Sequence, residues 1–193
     1  MKTRDLILEG KDRGYLLVEW TKHCAGHTVD YNLMHRNDSI FSIGQIEGVA
    51  SPWAQLNREQ SRWNFTVSEQ SLAQVLSLND PLAVQLSVDK KSGKVFEVDI
   101  RDNEQKKELN FYYLQKIFGA RLKSSDFHLD LDRSKKEFTF IGYGEGAGVG
   151  LCLYSANAMA KEGKTAKEIL TWFFPGSNLR LLDIEEHFAN LQK

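Results

Sequence analysis

The sequence predicts an α+β fold: mixed, largely antiparallel sheets and hairpins, with C-terminal helices packed beside a glycine-rich cleft loop. Three observations carry that expectation. Apolar residues alternate at Leu82, Val84, Leu86 and Val88 and again at Phe96, Val98 and Ile100, across the turn Asp89-Lys90-Lys91-Ser92-Gly93. A second alternating pair, Phe127, Leu129 and Leu131 with Phe138 and Phe140, flanks Arg133-Ser134-Lys135-Lys136. In the last third, Thr165 with Glu168 and Asp183 with Glu186 have capping-box spacing, while Gly163 and Pro175-Gly176 stop helices.

Taken in order, Tyr15-Leu16-Leu17-Val18-Glu19-Trp20 is rich in strand formers, and Ser39-Ile40-Phe41-Ser42-Ile43 reads as a second short strand closed by Gly44. Between them lies a polar loop with three histidines. Ser51-Pro52-Trp53 breaks the pattern, and Ser68 caps a helix over 69–78 with Leu72, Val75 and Leu76 on one face, ended by Asn79-Asp80-Pro81. The first hairpin follows, then a helix over 109–118 stopped by Gly119. After the second hairpin come helices over 151–162, 165–174 and 183–191. One domain over 1–193 is expected, with an inserted subdomain at about 54–134.

A chain of 193 residues with 41% hydrophobic content can bury a full core. Lys+Arg 25 against Asp+Glu 26 leaves a net charge of -1, which excludes the strongly basic classes and predicts no nucleic-acid partner. Apolar stretches fall short of the ~20 residues that a membrane span needs. The start, Met1-Lys2-Thr3-Arg4-Asp5, meets an acid before an apolar run builds, so no signal peptide is expected in this sequence. Cys24 and Cys152 are too few for a disulfide framework, and sequence leaves their pairing open.

The most unusual segment is Gly142-Tyr143-Gly144-Glu145-Gly146-Ala147-Gly148-Val149-Gly150. Glycine at every second position lets backbone N–H groups approach either a ligand or a neighbouring strand, and both readings stand. A dinucleotide fingerprint fails, because its third glycine falls at Ala147 and only helices are expected to follow. Gly163-Lys164-Thr165 ends like a phosphate loop but joins two helices, with Ala158 in place of the leading glycine. In Trp20-Thr21-Lys22-His23-Cys24-Ala25-Gly26-His27-Thr28, the donors His23, Cys24 and His27 suit zinc; the alternative is a hydrogen-bonded loop lining a cleft without a cofactor. Glu145, Glu19 and Glu47 are candidate carboxylates, which burial would adapt to general-acid use. Trp53, Trp63, Tyr143, Tyr154 and Trp172 are candidates for stacking on a sugar face, most of them expected in the core.

The glycine loop, continued by Ser155-Ala156-Asn157-Ala158-Met159-Ala160-Lys161-Glu162-Gly163, Glu168-Ile169-Leu170 and Phe173-Phe174-Pro175-Gly176-Ser177, resembles the C-terminal signature of the SpoIID/LytB family, stage II sporulation protein D and amidase enhancer. His23-Cys24-Ala25-Gly26-His27-Thr28 is similar to that family's histidine, glycine and threonine loop, and Val49-Ala50-Ser51-Pro52-Trp53 to its serine-proline-tryptophan step. Ser92-Gly93-Lys94-Val95 and Leu122-Lys123-Ser124-Ser125-Asp126-Phe127 look like its later hairpin and turn, so the resemblance runs from about Tyr15 to Asn178. It implies an exported, wall-facing bacterial protein whose partners are peptidoglycan glycan strands and a cell-wall amidase. Sporulation members are lytic transglycosylases that cleave glycan strands lacking stem peptides, and some bind zinc in the histidine-cysteine loop.

On that resemblance, His23, Gly26, His27, Thr28, Ser51, Trp53, Tyr143, Gly144, Gly146 and Gly148 are expected to bind substrate. The family's acid sits in a glutamate-methionine-proline context upstream of the histidine loop, and no such segment precedes Tyr15 here, so the chain is expected to be an N-terminally incomplete member. Glu145 stands where the family has histidine, and Cys152-Leu153 where it has serine and glutamine. A lytic transglycosylase needs one acid/base carboxylate, since the sugar's own 6-hydroxyl attacks the anomeric carbon, and Glu145 is the candidate substitute acid. The rival is a non-catalytic glycan-binding or amidase-enhancer module.

Overall fold

The computed structural model describes residues 6–10, 16, 18–36, 47–79 and 82–181. The strand expected at 39–43 and the helix expected at 183–191 lie outside the described residues, as do Tyr15 and Leu17 of the first expected strand. The fold is α+β. In chain order the elements are β1 (Leu6–Glu9), β2 (Trp20–Thr21), α1 (Tyr31–Met34), α2 (Pro52–Leu56), β3 (Arg62–Ser68), α3 (Glu69–Leu76), β4 (Ala83–Val88) and β5 (Val95–Arg101). There follow β6 (Lys106–Asn110), α4 (Phe111–Phe118), β7 (Phe127–Asp132), β8 (Glu137–Tyr143), β9 (Leu151–Cys152), α5 (Leu153–Lys161), α6 (Ala166–Phe173) and β10 (Asn178–Leu181).

Two three-stranded antiparallel sheets form, in the orders β3-β8-β7 and β4-β5-β6. Both expected hairpins are present, as β4–β5 and β7–β8. Phe138 and Phe140 alternate with half-buried neighbours on β8 and face the core, as period two requires. Phe140 stacks on Phe65 at 4.7 Å and meets Phe118 of α4 at 5.0 Å. One position farther along that face, Gly142 lies in register with Trp63 and Phe127, and the indole fills the space a side chain would take. Trp63 Nε1 then donates to Ser124 Oγ at 3.0 Å.

Several boundaries differ from expectation for identifiable reasons. The helix expected over 109–118 starts at Phe111, because Leu109 belongs to β6 and pairs with Val98; the run Lys106-Lys107-Glu108 hides an edge strand that buries only Leu109. Asn110 caps α4, accepting from Tyr113 N at 2.9 Å. Ser51-Pro52-Trp53 starts a helix, α2, with proline at its first position, where the missing N–H costs nothing. The helix expected over 151–162 begins at Leu153, since Leu151 and Cys152 pair in parallel with Trp20 and Thr21. β3, in which Trp63, Phe65 and Val67 alternate with Asn64 and Thr66, was not expected. The Thr165–Glu168 capping box is formed, and Ser68 caps α3 through Ser71 N.

Among the described residues no helix is long and apolar enough to cross a membrane. A Cβ at Gly142 would lie 2.3 Å from Trp63 Cζ2 and 2.5 Å from Asp126 O. Gly142→Ala is therefore expected to destabilise the fold by about 2–3 kcal/mol and to change the near-ultraviolet tryptophan dichroism. Gly93→Ala, with nothing within 4 Å of its Cβ position, should cost only about 1 kcal/mol in denaturant unfolding.

Candidate functional site

Beyond β8 the glycine segment runs against the histidine loop and is laced to it through the backbone. His23 N donates to Glu145 O at 3.0 Å and Glu145 N to His23 O at 2.9 Å. Val29 N donates to Gly148 O at 2.8 Å and Leu151 N to Glu19 O at 3.0 Å. Glycines mark the closest approaches. A Cβ would fall 2.4 Å from His23 O at Gly144, 2.4 Å from Thr21 Oγ1 at Gly146, 2.8 Å from Lys94 Cε at Gly148 and 2.2 Å from Glu19 O at Gly150. Gly144 also has φ +85, so two separate constraints require glycine there.

The donors of this segment are engaged by protein. Gly144 N bonds to Ser61 Oγ at 2.9 Å, Gly146 N to Lys123 O at 2.7 Å and Gly148 N to Thr21 Oγ1 at 3.3 Å. Of the two readings that sequence left open, close packing describes Gly144 and Gly148, both buried; Gly146 borders a solvent-facing cleft.

Beneath the histidine loop lies a buried ionic cluster that sequence reasoning missed. Lys94, 1% exposed, donates through Nζ to Asp126 Oδ2 at 2.9 Å and to Cys24 O at 2.8 Å. Arg58 grips Asp126 with two nitrogens, at 2.6 and 2.9 Å, and donates to Ala25 O at 2.7 Å. Its guanidinium also covers the Tyr143 ring at 4.1 Å. Hydrogen bonding to Asp126 raises the Arg58 pKa above its usual value. Two cations and one anion thus hold the Cys24 and Ala25 carbonyls, which fixes the loop's path. The available signal was Lys94 at a tight turn and Asp126 within the serine-rich turn, but exposed lysines at turns are far commoner than buried ones.

The electrostatic consequence falls on His23. Burial, then the positive charges of Lys94 and Arg58, lower its pKa from the usual 6.5. His23 Nδ1 accepts from Ala25 N at 3.1 Å, its ring leans on Tyr154 at 4.6 Å, and Nε2 is buried with no hydrogen-bond partner among the described residues. Nearby, Cys24 N donates to Cys152 Sγ at 3.3 Å. The interaction between the two thiols pulls the Cys152 pKa down to about 6 and, with burial, pushes that of Cys24 up. The residues do not fit a zinc ion. Among the described residues no three His, Cys, Asp or Glu side chains gather as a ligand set.

The remaining expected site residues are dispersed. Gly26 packs on Gln55. Thr28 is buried and bonded to Val49 N at 2.8 Å. Ser51 Oγ lies 2.6 Å from Ser155 Oγ in the interior. Trp53 donates to Glu162 Oε1 at 2.7 Å and meets Trp172 edge-on at 5.4 Å. His27 borders a polar cleft of about 560 Å³ with Asp30, Arg36, Asp89 and Lys91. A second cleft, about 530 Å³, joins Trp20, Lys22, Gln115, Lys123, Glu145 and Gly146. There Trp20 is 62% exposed, and Glu145, itself half exposed, is paired with Lys22 Nζ at 2.8 Å. Sequence reading assigned Trp20 to a strand and gave it no site role.

No family model matches this chain. Over 62 residues, 32% of the chain, it is 39% identical to stage II sporulation protein D of Bacillus subtilis (strain 168). The match spans 18% of the length of that protein.

Two outcomes follow from this geometry. Asp126→Asn, which leaves Lys94 and Arg58 facing a neutral amide, should destabilise the protein by about 3 kcal/mol in denaturant unfolding, whereas Lys94→Met, which spares the Arg58–Asp126 fork, should cost less. Because His23 binds its proton more weakly folded than unfolded, its contribution to stability is complete above 6.5 and is lost as pH falls through and below that value. Thermal melts between pH 8 and 5 should show this slope, and His23→Gln should flatten it.

Proposed function

We propose that this chain binds the glycan of the bacterial cell wall and that the cleft between Trp20 and Gly146 is its sugar groove. The observation that carries the reading is Trp20, 62% exposed beside Lys22, Gln115, Lys123 and Glu145. An open indole face surrounded by long hydrogen-bonding side chains matches the chemistry of a pyranose ring, apolar on its C–H face and polar at its rim. The 62-residue similarity to a sporulation protein supports the motif resemblance, and through it a cell-wall-related role. On the same basis we place the protein outside the cytoplasm, on the wall, where an amidase is its candidate protein partner.

Binding is favoured over cleavage by the state of Glu145. Half exposed and held by Lys22, it lacks the apolar enclosure that a general acid working near neutral pH requires. Its position on the rim of the groove is what keeps glycan cleavage as the second reading. Sedimentation with insoluble, denuded peptidoglycan is expected to retain the protein without release of anhydro-muramyl products, measured by mass spectrometry. Trp20→Ala should weaken retention about tenfold. Undiminished retention of that variant would remove the groove from the proposal. Anhydro products that disappear in Glu145→Gln would establish cleavage instead.

A further inference from the structure

Cys24 and Cys152, 128 residues apart, are the chain's two cysteines, and the fold brings both to one buried point. Cys24 follows the His23–Glu145 bridge; Cys152 closes β9 and pairs with Thr21. Cys24 N donates to Cys152 Sγ at 3.3 Å, which sets the Cys152 sulfur against the backbone of Cys24. Ser51 and Ser155, which act on the two thiols electrostatically, bond to each other in the same interior with their oxygens 2.6 Å apart. A cysteine acting only as a small apolar filler needs no such polar shell.

We propose that Cys24 and Cys152 are a site of reversible covalent modification, closed by peroxide into an intramolecular disulfide that locks the histidine loop onto the start of α5. Burial restricts the oxidant to a small molecule of the hydrogen peroxide class. In the first step Cys152, as the thiolate that its donors stabilise, attacks one peroxide oxygen. An S–O bond forms, the O–O bond breaks, and the leaving hydroxide takes up a proton to give water. Cys24 sulfur then attacks Cys152 sulfur; S–S forms, S–O breaks, and the Cys24 proton leaves with the hydroxide as a second water. Two thiols lose two electrons in total, and one peroxide is reduced to two waters. A dithiol reductant reverses the change by exchange.

The bond would join positions 128 residues apart, between segments that hydrogen bonds and packing now hold together. Its effect on the unfolded chain should raise the melting temperature by roughly 10 °C.

The test uses the whole chain, treated with a small excess of hydrogen peroxide, quenched, and alkylated in denaturant. The expected result is a monomer lighter by about 2 Da that takes up no alkylating agent, and whose non-reduced peptide map contains one cross-linked peptide joining Cys24 to Cys152. The higher melting temperature and the mass loss should both vanish with dithiothreitol. Cys24→Ser should stop at a dimedone-reactive sulfenic acid on Cys152 and show no rise in melting temperature. Two alkylated cysteines at unchanged mass, oxygen added to Cys152 in the wild-type chain without a cross-link, or disulfide-linked dimers would each overturn the proposal. The wild-type mass decides the matter even where Cys24→Ser does not fold.

Discussion

The arrangement around the candidate site depends on one constraint: two irregular segments, 19–29 and 144–151, must lie at backbone contact distance. Side chains at the crossing points would prevent it, so glycine occupies them, and the carbonyls of Glu19 and His23 sit where methyl groups would otherwise stand. The contact leaves few orphaned donors. His23, Val29 and Leu151 give their N–H groups to the opposite segment, and Gly144, Gly146 and Gly148 find Ser61, Lys123 and Thr21. Lys94, Asp126 and Arg58 then fix the histidine loop from below by holding the Cys24 and Ala25 carbonyls.

This changes what the alternating glycines mean. A glycine loop that cradles a ligand keeps its backbone donors pointing outward. Here those donors point into protein, and the solvent-facing chemistry passes to side chains at the edge of the lacing: Trp20, Lys22, Lys123 and Glu145. The segment acts as a support that sets the height and direction of the groove wall. Gly146, packed over Thr21, is where support and groove meet.

Much of the fold was legible because the two hairpins obey period two and their turns carry the expected residues. The capping signals at Ser68 and Thr165 marked real helix starts for the same local reason. What sequence did not show was decided by distant partners. β6 reads as a charged stretch because one of its residues alone is buried. β9 exists through its pairing with β2, and its two residues looked like the beginning of a helix. Among site residues, Lys94 and Asp126 became an ion pair only when the β5 turn met the turn before β7. His27, Thr28 and Ser51 were expected to face a ligand; Thr28 and Ser51 are satisfied internally, and His27 opens on a different cleft from Gly146. Residue type signalled polarity at these positions, but the direction each side chain takes is a tertiary property.

The parallel pairing of β2 with β9 sets the order of assembly during synthesis. A ribosome delivers Trp20 and Thr21 long before Leu151 and Cys152, and a parallel ladder offers no tight turn to bring such strands together early. The histidine loop, which can pair early with residues 49–51, must therefore wait for the glycine segment while both hairpins are made and fold locally. Its closure is expected to be a late event on the folding route, and a translating chain passes through a stage in which the sheets exist before the groove does.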